Sequence, residues 1–139
     1  MKTLLASFLF VYTLLGAAWA DAAPISEPQK IEMLLSSIGR LQGAVFIRNG
    51  SEYTAAQAAE HLRYKWNKAG DRVKTAEDFI VLCATKSSMS GLAYRIRFAD
   101  GTTLDSAVFL EQQLKRLDAG RHSGVATPLP NQPDRSRPR

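Results

Sequence analysis

The sequence has one cysteine, Cys83, and two histidines, His61 and His122. A single thiol cannot close a disulfide within the chain, so the core must stand on burial alone. Two distant histidines with no His-x-x-x-His pair fall short of a metal site, and no metal or other cofactor is expected. No glycine-first, lysine-last loop opens a helix, which excludes the usual phosphate cradle. Nor does a serine stand three residues before Lys86 to form a Ser-x-x-Lys pair. Excess charge on the folded part is also missing. The net charge of +5 sits mostly in residues 119–139, where Arg121, Arg135, Arg137 and Arg139 face only Asp134. Residues 21–118 hold thirteen basic and twelve acidic side chains. A nucleic-acid-binding domain carries its charge on its folded face, so no specific nucleic-acid partner is expected.

What is present begins with "MKTLLASFLFVYTLLGAAWA". Lys2 supplies a positive start, Leu4 to Leu15 an apolar stretch, and Ala18-Trp19-Ala20 a cleavage pattern, so residues 1–20 read as a secretory signal peptide. Ala20-Asp21-Ala22 offers a second cut. The charge-free stretch from Thr3 reaches the length of a membrane span, about 18 residues. It ends in small residues with no basic stop-transfer cluster, which favours cleavage and leaves no transmembrane segment. A chain with one thiol in an oxidising compartment fits a bacterial periplasm at least as well as an extracellular medium.

Ser26 and Gln29 have capping-box form, and Ile31, Leu34, Leu35, Ile38 and Leu41 follow as one helical stripe ending before Gly43. "AVFIRNGSEYT" then carries Asn49-Gly50 between β-prone residues, the strongest short hairpin signal. Thr54 can cap a second helix with Ala55, Ala58, Ala59, Leu62, Trp66 and Ala69 inside and Gly70 as its stop. Thr75 and Asp78 open a third helix with Phe79, Leu82 and Cys83 on its inner side. "AYRIRF" alternates Tyr94, Ile96 and Phe98 against two arginines, and Asp100-Gly101 turns it into "TTL". Asp105 or Ser106 caps a last helix with Ala107, Leu110, Leu114 and Leu117 inside and Gly120 beyond its end.

The segments around Asn49-Gly50 and Asp100-Gly101 match at an offset of 51. Either an internal duplication or turn chemistry alone produces such a match. A lone hairpin is marginal in water, so the two ribbons should join in one sheet or lie under the helices. The fold class is therefore a helix-rich α+β single domain over residues 25–118, built as two helix–hairpin–helix halves with small antiparallel ribbons. Residues 119–139 hold four of the six prolines and almost no large apolar side chains, and are expected to be disordered. Such a tail is either inert or a weak electrostatic tether to anionic lipid.

The stretch "LCATKSSMSGLAY" carries most of the sequence's potential chemistry. Cys83 lies on the inner stripe near a helix C-terminus, where the dipole opposes a thiolate, so it reads as a buried structural thiol. Ser87, Ser88 and Ser90 read as groups that satisfy the helix's last carbonyls and the reversal at Gly91, with a ligand loop as the alternative. The second helix puts His61, Tyr64, Lys65 and Lys68 on its polar side, as either a solvated face or an anion or glycan surface. Asn49-Gly50-Ser51 is a glycosylation sequon only in a eukaryotic secretory pathway. No catalytic residue is assigned. The candidate ligand surface is Arg48, His61, Lys65, Lys86, Ser87, Ser88 and Ser90, and a concave site joining Arg48, His61 and the Ser87–Gly91 loop would give it substance.

At "FIRNGSEY", "AAEHLRYKW", "KTAEDFIVLCATKSSMSG" and "RFADG" the chain resembles the YfeK-like family of small exported proteins of Gram-negative bacteria, over roughly residues 27–117. The resemblance implies periplasmic location and supplies neither an activity nor catalytic residues. The expectation is a periplasmic binding or interaction module, with an envelope protein or anionic envelope component as partner. The alternative is a small hydrolase or thiol enzyme using residues 83–91 with His61.

Overall fold

The computed structural model describes residues 23–122. The signal segment expected over 1–20 lies outside them, as does the expected tail beyond its first four residues. Helices begin where a short polar side chain can take an amide that the first turn leaves unpaired. Helix α1 is Glu27–Gly39, α2 is Ala55–Ala69 and α3 is Ala76–Phe79. Ser26, Thr54 and Thr75 cap them, each accepting from the amide three residues on. Gln29, Gln57 and Asp78 return the favour to the cap's own amide, closing three capping boxes worth about 1 kcal/mol apiece.

Two hairpins supply the sheet. Strands β1 (Val45–Arg48) and β2 (Ser51–Thr54) meet across Asn49 (φ 52°) and Gly50 (φ 78°). Two successive left-handed residues make a type I′ turn, whose twist suits a hairpin. Strands β3 (Arg95–Arg97) and β4 (Thr103–Asp105) join differently. Gly101 (φ 86°) is left-handed while Asp100 is not, and the Phe98 amide donates to the Thr102 carbonyl at 2.8 Å, a three-residue loop with a bulge. The ribbons meet in one antiparallel sheet of order β2-β1-β3-β4, with Phe46 opposite both Tyr53 and Ile96 and Ile96 opposite Leu104.

That row faces the helices and belongs to the core with Ile31, Leu34, Leu35, Ile38, Leu62 and Leu110. The other face carries the ion pairs Arg97–Glu52 (2.7 Å) and Arg95–Asp105 (3.7 Å). Helix α1 packs against α2, α3 and α4 (Ser106–His122). Its Lys30 reaches Asp118 of α4 at 3.3 Å, and its Glu27 accepts from the Ala76 amide at the start of α3 at 2.8 Å. The result is a single α+β domain in which each half runs helix, hairpin, helix. Helices α2 and α4 start at Ala55 and Ser106, separated by the same offset of 51 seen in the sequence.

Two expectations fail. Leu82 was placed inside with Phe79 and Cys83, but it is 45% exposed. The chain from Ile80 to Ala84 is a π-helix, and the Thr85 hydroxyl donates five residues back to the Ile80 carbonyl at 2.8 Å. This wider turn moves the phase, so Phe79, Ile80, Cys83 and Ala84 point inward while Val81 and Leu82 face out. The second failure is the stop at Gly120. Helix α4 runs through it to His122, because Gly120 keeps helical dihedrals instead of the left-handed ones that end a helix.

Candidate functional site

The π turn and the loop after it form one wall of a cleft of about 570 Å³. The facing wall is the polar stripe of α2. His61, Lys65 and Lys68 recur every three or four residues, and Arg72 extends the stripe from the 3-10 turn Gly70–Arg72. Arg48, at the end of β1, projects to the same side as Phe46, two residues earlier, and closes one end. Leu82, Ser87, Ser88, Met89 and Tyr94 complete the far wall, with Tyr64 on the α2 side.

Four cationic side chains, Arg48, Lys65, Lys68 and Arg72, therefore share one cavity that no carboxylate lines. Among the described residues none of the four enters a salt bridge, whereas Lys30, Arg63, Arg95 and Arg97 each have an acidic partner. The cleft cations lean on neutral groups. Arg48 Nη1 stands 2.8 Å from His61 Nδ1 and 2.9 Å from Nε2, and its Nη2 donates to the Tyr53 hydroxyl at 3.2 Å. The guanidinium also lies 4.7 Å from the centre of the Tyr53 ring. Lys65 Nζ donates to the Lys86 carbonyl at 2.9 Å and sits 5.0 Å from the Tyr94 ring centre. Lys68 lies 5.5 Å from the Tyr64 ring centre, and Arg72 Nε donates to the Ala69 carbonyl at 3.4 Å.

This crowding sets the protonation states. Burial, then the charges of Arg48 and Lys65, hold His61 below the ordinary histidine value. A neutral imidazole has one acceptor nitrogen for Arg48 and one N–H left over, and the Tyr94 hydroxyl lies 3.3 Å from Nε2. Burial also lowers Lys65, with Arg48 adding to the effect and Cys83 opposing it. An entering anion would relieve both groups. Such a donor set repels metal cations, and among the described residues no three His, Cys, Asp or Glu side chains gather as a metal site.

Of the expected ligand surface, the fold brings Arg48, His61, Lys65, Ser87 and Ser88 to the cleft. Lys86 contributes its carbonyl to Lys65, while its side chain is exposed and not among the lining groups. Ser90 lies outside the wall but donates to the Asn49 side chain at 2.5 Å, tying the loop to the first hairpin's turn. The serines do not satisfy the helix's last carbonyls, as the sequence suggested; Thr85 takes that role. Ser87 instead accepts from the amides of Met89 (3.3 Å) and Ser90 (3.4 Å) within the turn.

Cys83 is 1% exposed, and burial pushes its thiol up, against the pull of Lys65 and Arg72. That is the opposite of an activated nucleophile. His61 turns its nitrogens to Arg48 and Tyr94, with no serine or thiol on them. Arg72, Leu82, Met89 and Tyr94 join the site without being candidates in the sequence, and Tyr64 and Lys68 enter it from the polar face of α2, which the sequence offers as either a solvated face or an anion or glycan surface. Arg72 was legible as the next step of the 61-65-68 stripe, but the glycine stop at Gly70 hid it.

Residues 25–118 match a family model described as a family of unknown function, DUF5329. The chain is 34% identical over 77 residues to the "Uncharacterized protein YfeK" of Salmonella typhimurium, which is 55% of this chain. The match spans 63% of that relative's length. No solved structure matches the chain.

Proposed function

The chain belongs to the family of unknown function DUF5329, and since that membership supplies no activity, we propose that it is an exported binding module whose cleft holds an anionic ligand with an apolar or aromatic part. One observation carries this reading. Arg48, Lys65, Lys68 and Arg72 meet in a single cavity without a carboxylate among its lining residues. Like charges brought together cost free energy that the fold does not recover by internal ion pairing, and an anion would recover it. Tyr64, Leu82 and Tyr94 add apolar surface to the same walls, so the ligand is more than a bare ion. The periplasm is the proposed location, on the strength of Lys2, the apolar stretch and Ala18-Trp19-Ala20. Mass measurement of the exported chain should find a start at Asp21 or Ala23, and a retained Met1 in a membrane fraction would refute export.

Calorimetry with inorganic phosphate, pyrophosphate and phenyl phosphate tests the cleft. All three should bind with affinity that falls as salt rises, and phenyl phosphate more tightly than phosphate because its ring is buried. Lys65→Ala should weaken each by roughly tenfold, the scale of one charged hydrogen bond. Binding that ignores Lys65→Ala, or no binding at all, would reject the reading.

A further inference from the structure

The most exposed large apolar side chain among the described residues is Met89, at 96%, and it stands on the rim of the cationic cleft. Its position is not slack. The turn is closed by the Ser87 amide on the Leu92 carbonyl (2.9 Å) and the Gly91 amide on the Ser87 carbonyl (2.9 Å). Ser87 Oγ takes the Met89 amide itself at 3.3 Å, and Ser90 anchors the turn to Asn49. A hydrogen-bonded turn thus holds a large apolar group out into water. Leu82 (45% exposed) and Tyr64 (57%) line the same cavity. A small anion held within the walls leaves the projecting Met89 in water, whereas an anionic membrane meets both features at once: lipid phosphate for the cations, the acyl boundary for the rim. Tyrosine suits the interface between them.

We propose that the ligand is presented by a membrane, with a lipid headgroup phosphate held between Arg48, Lys65 and Lys68 while Met89 and Leu82 enter the acyl boundary. This rests on the anion-binding reading of the cleft and adds the source of the anion. Charge complementarity selects the anionic lipid surface: the rim surrounds cations without acidic neighbours in the lining.

The test uses residues 21–139, which hold every described element, with vesicles of phosphatidylcholine alone or mixed with phosphatidylglycerol. The protein should sediment with the anionic vesicles and not with the neutral ones. Lys65→Ala with Lys68→Ala should lower partitioning roughly thirtyfold. Met89→Ser, safe for folding at this exposure, should lower it about tenfold and weaken pyrophosphate far less. The arginines of the tail are common to all variants and drop out of the comparison. Pyrophosphate binding without vesicle binding would overturn the membrane source and leave the anion site standing, as expected if the ligand is free in solution or carried by an acidic protein. Equal losses for Met89→Ser on vesicles and on pyrophosphate would also overturn it, as would equal binding to neutral vesicles. Failure of both probes would instead remove the anion site itself.

Discussion

The two hairpin–helix units share a plan but not a chemistry. In the first, β1, β2 and α2 carry Arg48, His61, Lys65 and Lys68 to the cleft. The second unit has Phe98 where the first has Arg48, an offset of 50 because its turn is one residue longer, and Gln112, Arg116 and Ala119 in the other three places at the offset of 51. The tyrosine that stacks under Arg48, Tyr53, has Leu104 as its counterpart. Helix α4 spends its inner face on Phe109, Leu110 and Leu114, all buried. One unit of a pseudo-symmetric pair can hold the core while the other departs from neutral packing, because sheet pairing and the helix starts do not depend on what the polar faces carry.

Leu62 of α2 and Leu110 of α4 are both 0% exposed. If the units share one core, Leu62→Ala and Leu110→Ala should each cost about 2–5 kcal/mol by urea unfolding, in a single transition. Two transitions, or a cost below ~1 kcal/mol for either, would mean that the units stand apart. Next in size comes the functional asymmetry. Lys65→Ala with Lys68→Ala should weaken pyrophosphate binding more than tenfold. Lys115→Ala with Arg116→Ala, which removes two exposed charges from α4, should leave it unchanged. Equal losses would show that general positive charge, not the cleft, attracts the anion.

A smaller effect follows from His61. Its folded value is lowered, so protons bind the unfolded chain more readily and acid opposes folding through this group. Its contribution is complete above the ordinary value of 6.5 and is lost as pH falls through the lowered folded value. Unfolding curves of the wild type and His61→Gln should therefore diverge between neutral pH and about pH 5, with the variant flatter. Parallel curves would contradict the burial of His61 against Arg48 and Lys65. The smallest effect sharpens the pseudo-symmetry. Ser106 Oγ is buried with no hydrogen-bond partner among the described residues, and the first unit has Ala55 at this place. Ser106→Ala should leave stability level or raise it by up to ~1 kcal/mol; a loss of that size would mean that the hydroxyl is satisfied.

Much of this was legible in the sequence, and the parts that were not share a cause. Capping boxes at Ser26 and Thr75 and the Asn49-Gly50 turn are local: three or four residues decide them, and no distant contact can easily override them. The union of the two ribbons was one of two outcomes that the weakness of either alone allowed, the other being cover by the helices. The misses arise where a local rule was extended through an irregular turn. A stripe counted at 3.6 residues per turn put Leu82 inside, but the π-helix shifted it to the rim of the cleft. Gly70 did stop α2, yet the 3-10 turn kept Arg72 on the same side. Tyr94 was legible as an inward strand residue, and its buried ring packs on Phe46 at 5.4 Å between centroids. Its hydroxyl joins the site only because the fold brings it within 3.3 Å of His61 on α2, a tertiary fact that no period reveals. Arg48, His61 and the serine loop could be named but not joined without the fold.

The central claim is that the cleft is built for an anion, and His61 reports on it from inside. Its proton is disfavoured by burial and by Arg48 and Lys65, so a bound anion must raise its pKa. Nuclear magnetic resonance titration of the His61 ring, with and without saturating pyrophosphate, measures this directly. The free protein should show a value below the ordinary range, and binding should shift it upward, with affinity rising as pH falls. A His61 titration indifferent to pyrophosphate, or already at the value of an exposed histidine, would contradict it.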